Sequence, residues 1–222
     1  MARHFNGTTD KIVNLSAGLI PPLPVSFACW FKPSDVSADH VMVAHANQGA
    51  AVELITLELQ GTVAGHPIRA RFRNALNAES SAVSTAGCSA GQWYHGCAVF
   101  ASSSSRTIYL DGANNVTDTT GIGNFGVFNC TGIGVLQRGT PGLFFAGDIQ
   151  EVGIWNAALT ADEVNSLAKG FAPSCVRPSL LVAYFPLFGR GATENNRFKT
   201  GDILTPTGTT YAEHGGMMLY PG

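Results

Sequence analysis

Along most of the chain, hydrophobic and polar residues alternate with period two, the mark of strands that bury one face. Ile68–Asn74 divides cleanly, with Ile68, Ala70 and Phe72 on one side and Arg69, Arg71 and Arg73 on the other. Val25–Lys32 is apolar on both sides (Phe27, Cys29 and Phe31 against Ala28 and Trp30), as in a central strand covered twice. The same reasoning predicts strands at Lys11–Leu15, His40–His45, Val52–Leu59, Trp93–Ala101, Thr107–Leu110, Gly132–Gln137 and Gly147–Trp155. A slip in the alternation between Leu54 and Ile55 predicts a bulge there. Short strands punctuated by Gly, Asn, Asp and Pro, with no internal repeat, predict an all-β antiparallel sandwich of the jelly-roll type.

One helix interrupts the pattern, near 160–169. Thr160 and Glu163 have the spacing of a capping box, Leu159 and Val164 that of a hydrophobic staple, and Gly170 and Pro173 stop the helix. From Phe171 the composition shifts. We read residues 1–170 as one domain and 171–222 as a C-terminal extension. The extension carries a strand at Leu180–Leu187, then a polar tail that packs on the domain or on a partner.

Composition narrows the possible classes. Charged residues are 13% of the 222, and 13 Lys+Arg stand against 15 Asp+Glu. Without a basic excess, electrostatic binding to nucleic acid is not expected. With 45% hydrophobic residues a packed core is expected, and no apolar run is long enough to insert in a membrane. If Met1 is the natural start, the missing export signal predicts folding in a cytoplasm. Cys29, Cys88, Cys97, Cys130 and Cys175 show no metal-ligand spacing and read as reduced thiols.

Four stretches in order resemble the laminin G-like, concanavalin A-like jelly-roll superfamily, which includes pentraxin-like members. They are Phe5-Asn6-Gly7-Thr8-Thr9-Asp10-Lys11-Ile12, Val25 to Pro33, the pair Gly91–His95 and Arg106–Gly112, and Phe145 to Thr160. More loosely, Val182–Leu187 and Leu204–Thr210 resemble an extension found in such proteins of phages and environmental bacteria. The resemblance implies the sandwich fold. It also raises calcium, held at the rim by oxygen ligands. Asp111 and Asp148 are the candidates, with Asp10, Asp118, Asn114 and Asn115 as further oxygen donors, although Asp111-Gly112 equally suits a tight hairpin turn. No other cofactor is expected.

Catalysis is not expected. The nearest carboxylate pairs, Glu53 with Glu58 and Asp148 with Glu151, are spaced so that an unbulged strand sends them to opposite faces. The six histidines are scattered and form no nucleophile signature, and His95 reads as structural. Trp30, Trp93 and Trp155 read as core, leaving Tyr94, Phe125, Phe128, Phe144 and Phe145 as loop aromatics for sugar stacking.

The candidate docking face is the stripe Arg69, Arg71, Arg73. It is either a solvated outer face or a surface for carboxylate-, sulfate- or phosphate-bearing ligands. On the second reading, reversing Arg71 to Glu should abolish attachment without lowering the melting temperature. Two roles stay open. One is an accessory protein of a virion surface, of the phage capsid-decoration or head-fibre kind, which adheres to glycans and partners capsid proteins or identical copies. The other is a secreted or cell-surface lectin, calcium-dependent or not, that binds polysaccharide.

Overall fold

A computed structural model of the protein describes residues 1–15, 22–50, 52–123, 126–189, 191–198 and 203–213. In chain order the strands are β1 (Ala2–Asn6), β2 (Lys11–Asn14), β3 (Val25–Pro33), β4 (Asp39–Ala46), β5 (Leu54–Gln60) and β6 (Pro67–Arg73). There follow β7 (Glu79–Gly87), β8 (Tyr94–Ser102), β9 (Ser105–Leu110), β10 (Ala113–Asp118), β11 (Cys130–Ile133) and β12 (Ala146–Trp155). Helix α1 (Ala161–Ala168) precedes β13 (Leu181–Phe185), β14 (Glu194–Asn195), β15 (Ile203–Thr207) and β16 (Thr210–Ala212).

These strands form two antiparallel sheets. The first runs β10-β9-β8-β3-β12-β1-β16, and β13 shares with β1 the same edge of β12. The second runs β14-β15-β2-β11-β4-β5-β6-β7. Phe27, Phe31, Phe100 and Ile149 of the first sheet pack between the layers against Ile55, Leu57, Ile68 and Phe72 of the second. The sandwich expected from the alternation is the fold found.

Beyond this core, two segments cover the outer faces. Helix α1 lays Val164 and Leu167 over Ala28, Cys97, Val99 and Trp155 of the first sheet. Its capping box is formed, Glu163 N–H donating to Thr160 Oγ1 (3.3 Å) and Thr160 N–H to the Glu163 carboxylate (2.7 Å). On the second sheet, residues 134–144 fold back so that Leu136 and Leu143 cover Val41, Ala44, Ala46, Leu54 and Cys130.

Three sequence expectations change in the structure. The bulge lies in β4, where Met42 is the extra residue between Val41 and Val43, while β5 pairs with β6 in unbroken register from Leu54 to Leu59. The slip at Leu54–Ile55 arises because Leu54 faces the outer apolar patch while Ile55 faces the core. The strand expected at Gly132–Gln137 stops at Ile133, because Gly134 (φ 70°) turns the chain back. There an added Cβ would lie 2.4 Å from the Phe5 ring. Of the three tryptophans only Trp155 is fully buried, its indole N–H donating to Val176 O (2.8 Å). Trp30 and Trp93 are half-buried on the first sheet, in the part of its outer face that α1 leaves open.

The C-terminal extension joins both sheets. β13 pairs with β12, β15 with β2 and β16 with β1. β13 is the strand expected at Leu180–Leu187; polar composition hides β15 and β16, because pairing needs backbone groups and only one or two apolar anchors such as Leu204. Alternation also misses β1, β7 and β10, of which β7 and β10 are Ser-, Thr- and Asn-rich edges for the same reason.

Among the described residues three histidines, His40, His45 and His95, are buried inside this framework. His45 lies edge-on to Phe27 (4.7 Å between centroids), and His95 packs against Trp30 (5.5 Å). Burial pushes both down to about 3. Both are therefore neutral in the folded protein, whereas in the unfolded chain they take protons near pH 6.5. Below that value protons favour unfolding. Thermal melts should show a plateau above pH 7 and a falling Tm as pH drops from about 6.5 toward 3. An unchanged Tm between pH 7.5 and 5 would contradict neutral burial.

Candidate functional site

The polar stripe expected on β6 is present, and the sheet register supplies it with partners. Along β5, Ile55, Leu57 and Leu59 enter the core, so Thr56, Glu58 and Gln60 point outward. Pairing sets Thr56 beside Arg71 and Glu58 beside Arg69, while β7 sets Glu79 beside Arg73.

An ion-pair lattice results. Arg69 donates to Glu58 and lies 3.8 Å from Asp39. Arg71 donates through Nη2 to Glu79 (2.7 Å), with its Nη1 3.7 Å from Glu58. Arg73 contacts Glu79 through both Nε (2.7 Å) and Nη2 (2.5 Å). Glu58 is fully buried at 0% exposure and Arg71 nearly so at 7%. Partial burial works to raise the Glu79 carboxyl, but the hydrogen bonds and charges of Arg71 and Arg73 outweigh it and hold it below its usual value. A general acid needs the opposite shift.

Two further groups reach this face from the 134–144 segment, and sequence reasoning missed both. Gln137 is buried there, tethered by Cys130 Sγ–H to Gln137 O (3.0 Å). Arg138 comes within electrostatic range of Arg73, Arg71 and Glu58. Burial first, then those two guanidiniums, push it below its ordinary value. No local pattern around Arg138 announces this, since the placement depends on the reversal at Gly134.

Five buried polar atoms on this face have no hydrogen-bond partner among the described residues: Thr56 Oγ1, Glu58 Oε2, Gln60 Oε1, Gln137 Oε1 and Arg71 Nε. Native proteins pair the great majority of such atoms, so water or a ligand is the expected partner here, as it is for the similar atoms of His40, His45, His95 and Arg106 elsewhere in the fold.

The remaining sequence candidates are occupied elsewhere. Asp148 binds Lys32 Nζ (2.6 Å) and His4 Nδ1 (2.7 Å). Asp111 accepts from His95 N–H (2.7 Å) within the Asp111-Gly112 turn, where both φ values are positive (55° and 73°). Three strand spacings, about 14 Å, separate Asp111 from Asp148, too far to share an ion. Asp10 accepts from Asn6 N–H (3.1 Å), and Asp118 pairs with Arg106 (2.8 Å). Among the described residues no group of three His, Cys, Asp or Glu converges.

The carboxylate pairs considered for hydrolysis do not come together as acid and base. Glu53 holds Asn47 Nδ2 (2.5 Å) and Val127 N–H (3.1 Å), five residues ahead of Glu58. That separation is about 17 Å along an extended strand, beyond the 5–9.5 Å or so that glycosidases use. Glu151 sits at the β12 bulge (φ 55°) and accepts from the Tyr184 hydroxyl, away from the Asp148 cluster. Phe145 and Phe128 are buried and Tyr94 packs on Phe31, which leaves Phe144 half-exposed. Phe125 lies outside the described residues.

The architecture is that of an antiparallel double-sheet jelly roll. The chain belongs to the concanavalin A-like lectin/glucanases superfamily, whose laminin G-like model matches residues 6–165. Three solved structures share the fold at low identity. One is a protein of Bacteroides ovatus regarded as a carbohydrate binder (17% identity, TM-score 0.67, 99% of this chain and 62% of that one). Another is domain 4 of the arabinanase AbnA from Geobacillus stearothermophilus, in complex with arabinotriose (22%, 0.60, 75% and 76%). The third is the CBM40 of the Ruminococcus gnavus IT-sialidase bound to α2,3-sialyllactose (12%, 0.61, 76% and 98%). No curated protein sequence is similar enough to count as a relative.

Proposed function

We propose that this protein is a non-catalytic carbohydrate-binding module that holds its ligand on the outer face of β5 and β6. The observation that carries the reading is the cluster of partnerless buried polar atoms beside the Arg69–Arg71–Arg73 lattice. Sugar hydroxyls both donate and accept, so through a bridging water they can complete acceptors such as Gln60 and Gln137 and donors such as Arg71. Similarly folded domains that bind arabinotriose and sialyllactose support the reading. Calorimetric titration of the full chain with an oligosaccharide panel tests it. Gln60→Ala combined with Gln137→Ala should weaken binding at least tenfold while leaving the fold intact by circular dichroism. Equal affinity in the variant would move the site elsewhere.

The biological setting forms a second part of the proposal. Display on a virion surface, as a capsid-decoration or head-fibre component bound to capsid proteins or to identical copies, is supported by the sequence likeness of Val182–Leu187 and Leu204–Thr210 to phage-associated extensions. Secretion as a free or cell-surface lectin is the competing setting. Mass spectrometry of purified particles and of culture supernatant separates the two.

A further inference from the structure

The charge arrangement on the β5–β6 face says which sugars it takes. This step rests on the glycan-binding reading above. From sequence alone, three arginines on one face suggest a ligand bearing carboxylate, sulfate or phosphate. In the structure each guanidinium already faces protein carboxylate: Arg69 meets Glu58 and Asp39, Arg71 meets Glu58 and Glu79, and Arg73 meets Glu79. Counting Arg138, four cations stand among three anions. An incoming anion would therefore meet Glu58 and Glu79 as well as the arginines, with only one cation in excess.

The partnerless atoms point the same way. Three of the five only accept (Glu58 Oε2, Gln60 Oε1 and Gln137 Oε1), Thr56 Oγ1 both donates and accepts, and Arg71 Nε donates. Acceptors call for a ligand rich in O–H donors, whereas a carboxylate or sulfate only accepts. All five atoms are buried, so a sugar hydroxyl meets them through an intervening water rather than directly. A hard cation could also use four oxygens, but Arg69 and Arg71 already claim Glu58, its one carboxylate.

We infer that this face selects uncharged, hydroxyl-rich sugar chains and discriminates against acidic ones. Matched pairs test it: lactose against 3′-sialyllactose, and galactan against polygalacturonate, titrated into the full chain at 20 and 500 mM NaCl, with and without EDTA. The neutral member should bind at least tenfold tighter, with under twofold change on adding salt or chelator. Glu79→Gln, at a side chain 30% exposed, removes the carboxylate shared by Arg71 and Arg73. It should raise affinity for the acidic member at least fivefold and make that binding salt-sensitive. Tighter acidic binding by the natural chain, loss of binding in EDTA, or no effect of Glu79→Gln overturns the selectivity while leaving the glycan-binding reading standing. No binding to any member removes both.

Discussion

Arg71→Glu should destabilise the fold strongly, with an expected loss of about 3–5 kcal/mol, the range for breaking a buried ion pair. The side chain lies between fully buried Glu58 and exposed Glu79. Reversing its charge would set three carboxylates against one another in a site with little water. At about 2–4 °C per kcal/mol for a chain of this size, Tm should fall by roughly 6–20 °C. Arg73→Glu is the control, because Arg73 is more exposed and, among the described residues, ion-pairs with Glu79 alone. It should cost about 1 kcal/mol. The expectation from sequence, that reversal at Arg71 would spare the melting temperature, treated the stripe as freely solvated. Its near-complete burial is why we now expect otherwise. Equal Tm in the natural chain and the Arg71→Glu variant would show that the lattice contributes little.

Arg3→Ala should have a comparable effect through a different mechanism. Arg3 is 2% exposed and donates to Glu194 (2.6 Å), to Thr209 Oγ1 (2.9 Å) and to the Gly191 carbonyl (2.5 Å). One side chain of β1 thus ties Gly191, Glu194 and Thr209 of the extension together. Glu194 also receives the Gly189 N–H (3.1 Å), so its carboxylate is committed to this position. Removing Arg3 strands a buried carboxylate and frees three acceptors, at a cost of about 3–5 kcal/mol. The loss should be local first. Amide exchange across 194–212 should accelerate, and proteolysis after Phe185 should precede global unfolding. Arg3→Met with Glu194→Leu should recover most of the stability, since a buried pair is often replaceable by apolar residues of similar size. If exchange in 194–212 stayed as slow as in the natural chain, the clasp would not be what holds the tail.

Both predictions rest on contacts between residues distant in sequence, and this marks where reading the chain stopped. Alternation in Ile68–Asn74 correctly set Ile68, Ala70 and Phe72 inward and the arginines outward. The Thr160–Glu163 spacing correctly announced the helix cap, and Asp111-Gly112 its hairpin turn. Each depends on neighbours within a few residues. By contrast, Glu58 reaches Arg69 through an eleven-residue separation, and Arg3 reaches Glu194 across 191 residues. Local period cannot reveal which carboxylate a register will set beside which guanidinium. The same limit explains the tryptophans. A strand pattern shows that Trp30 and Trp93 lie in or beside strands, but not which part of the outer face α1 leaves uncovered.

By itself the sequence determined the class of fold, the inward and outward sides of the central strands, the capped helix and the superfamily. These follow from side-chain period and turn chemistry, which act over a few residues. Tertiary structure alone decided that the arginine stripe is charge-matched rather than free, and that Gln137 and Arg138 arrive over it. It also decided that partnerless acceptors gather there and that the polar tail is bound into both sheets. The physical reason is that register and loop return set distances between groups far apart in the chain. Charge pairing and desolvation depend on those distances, whereas alternation does not.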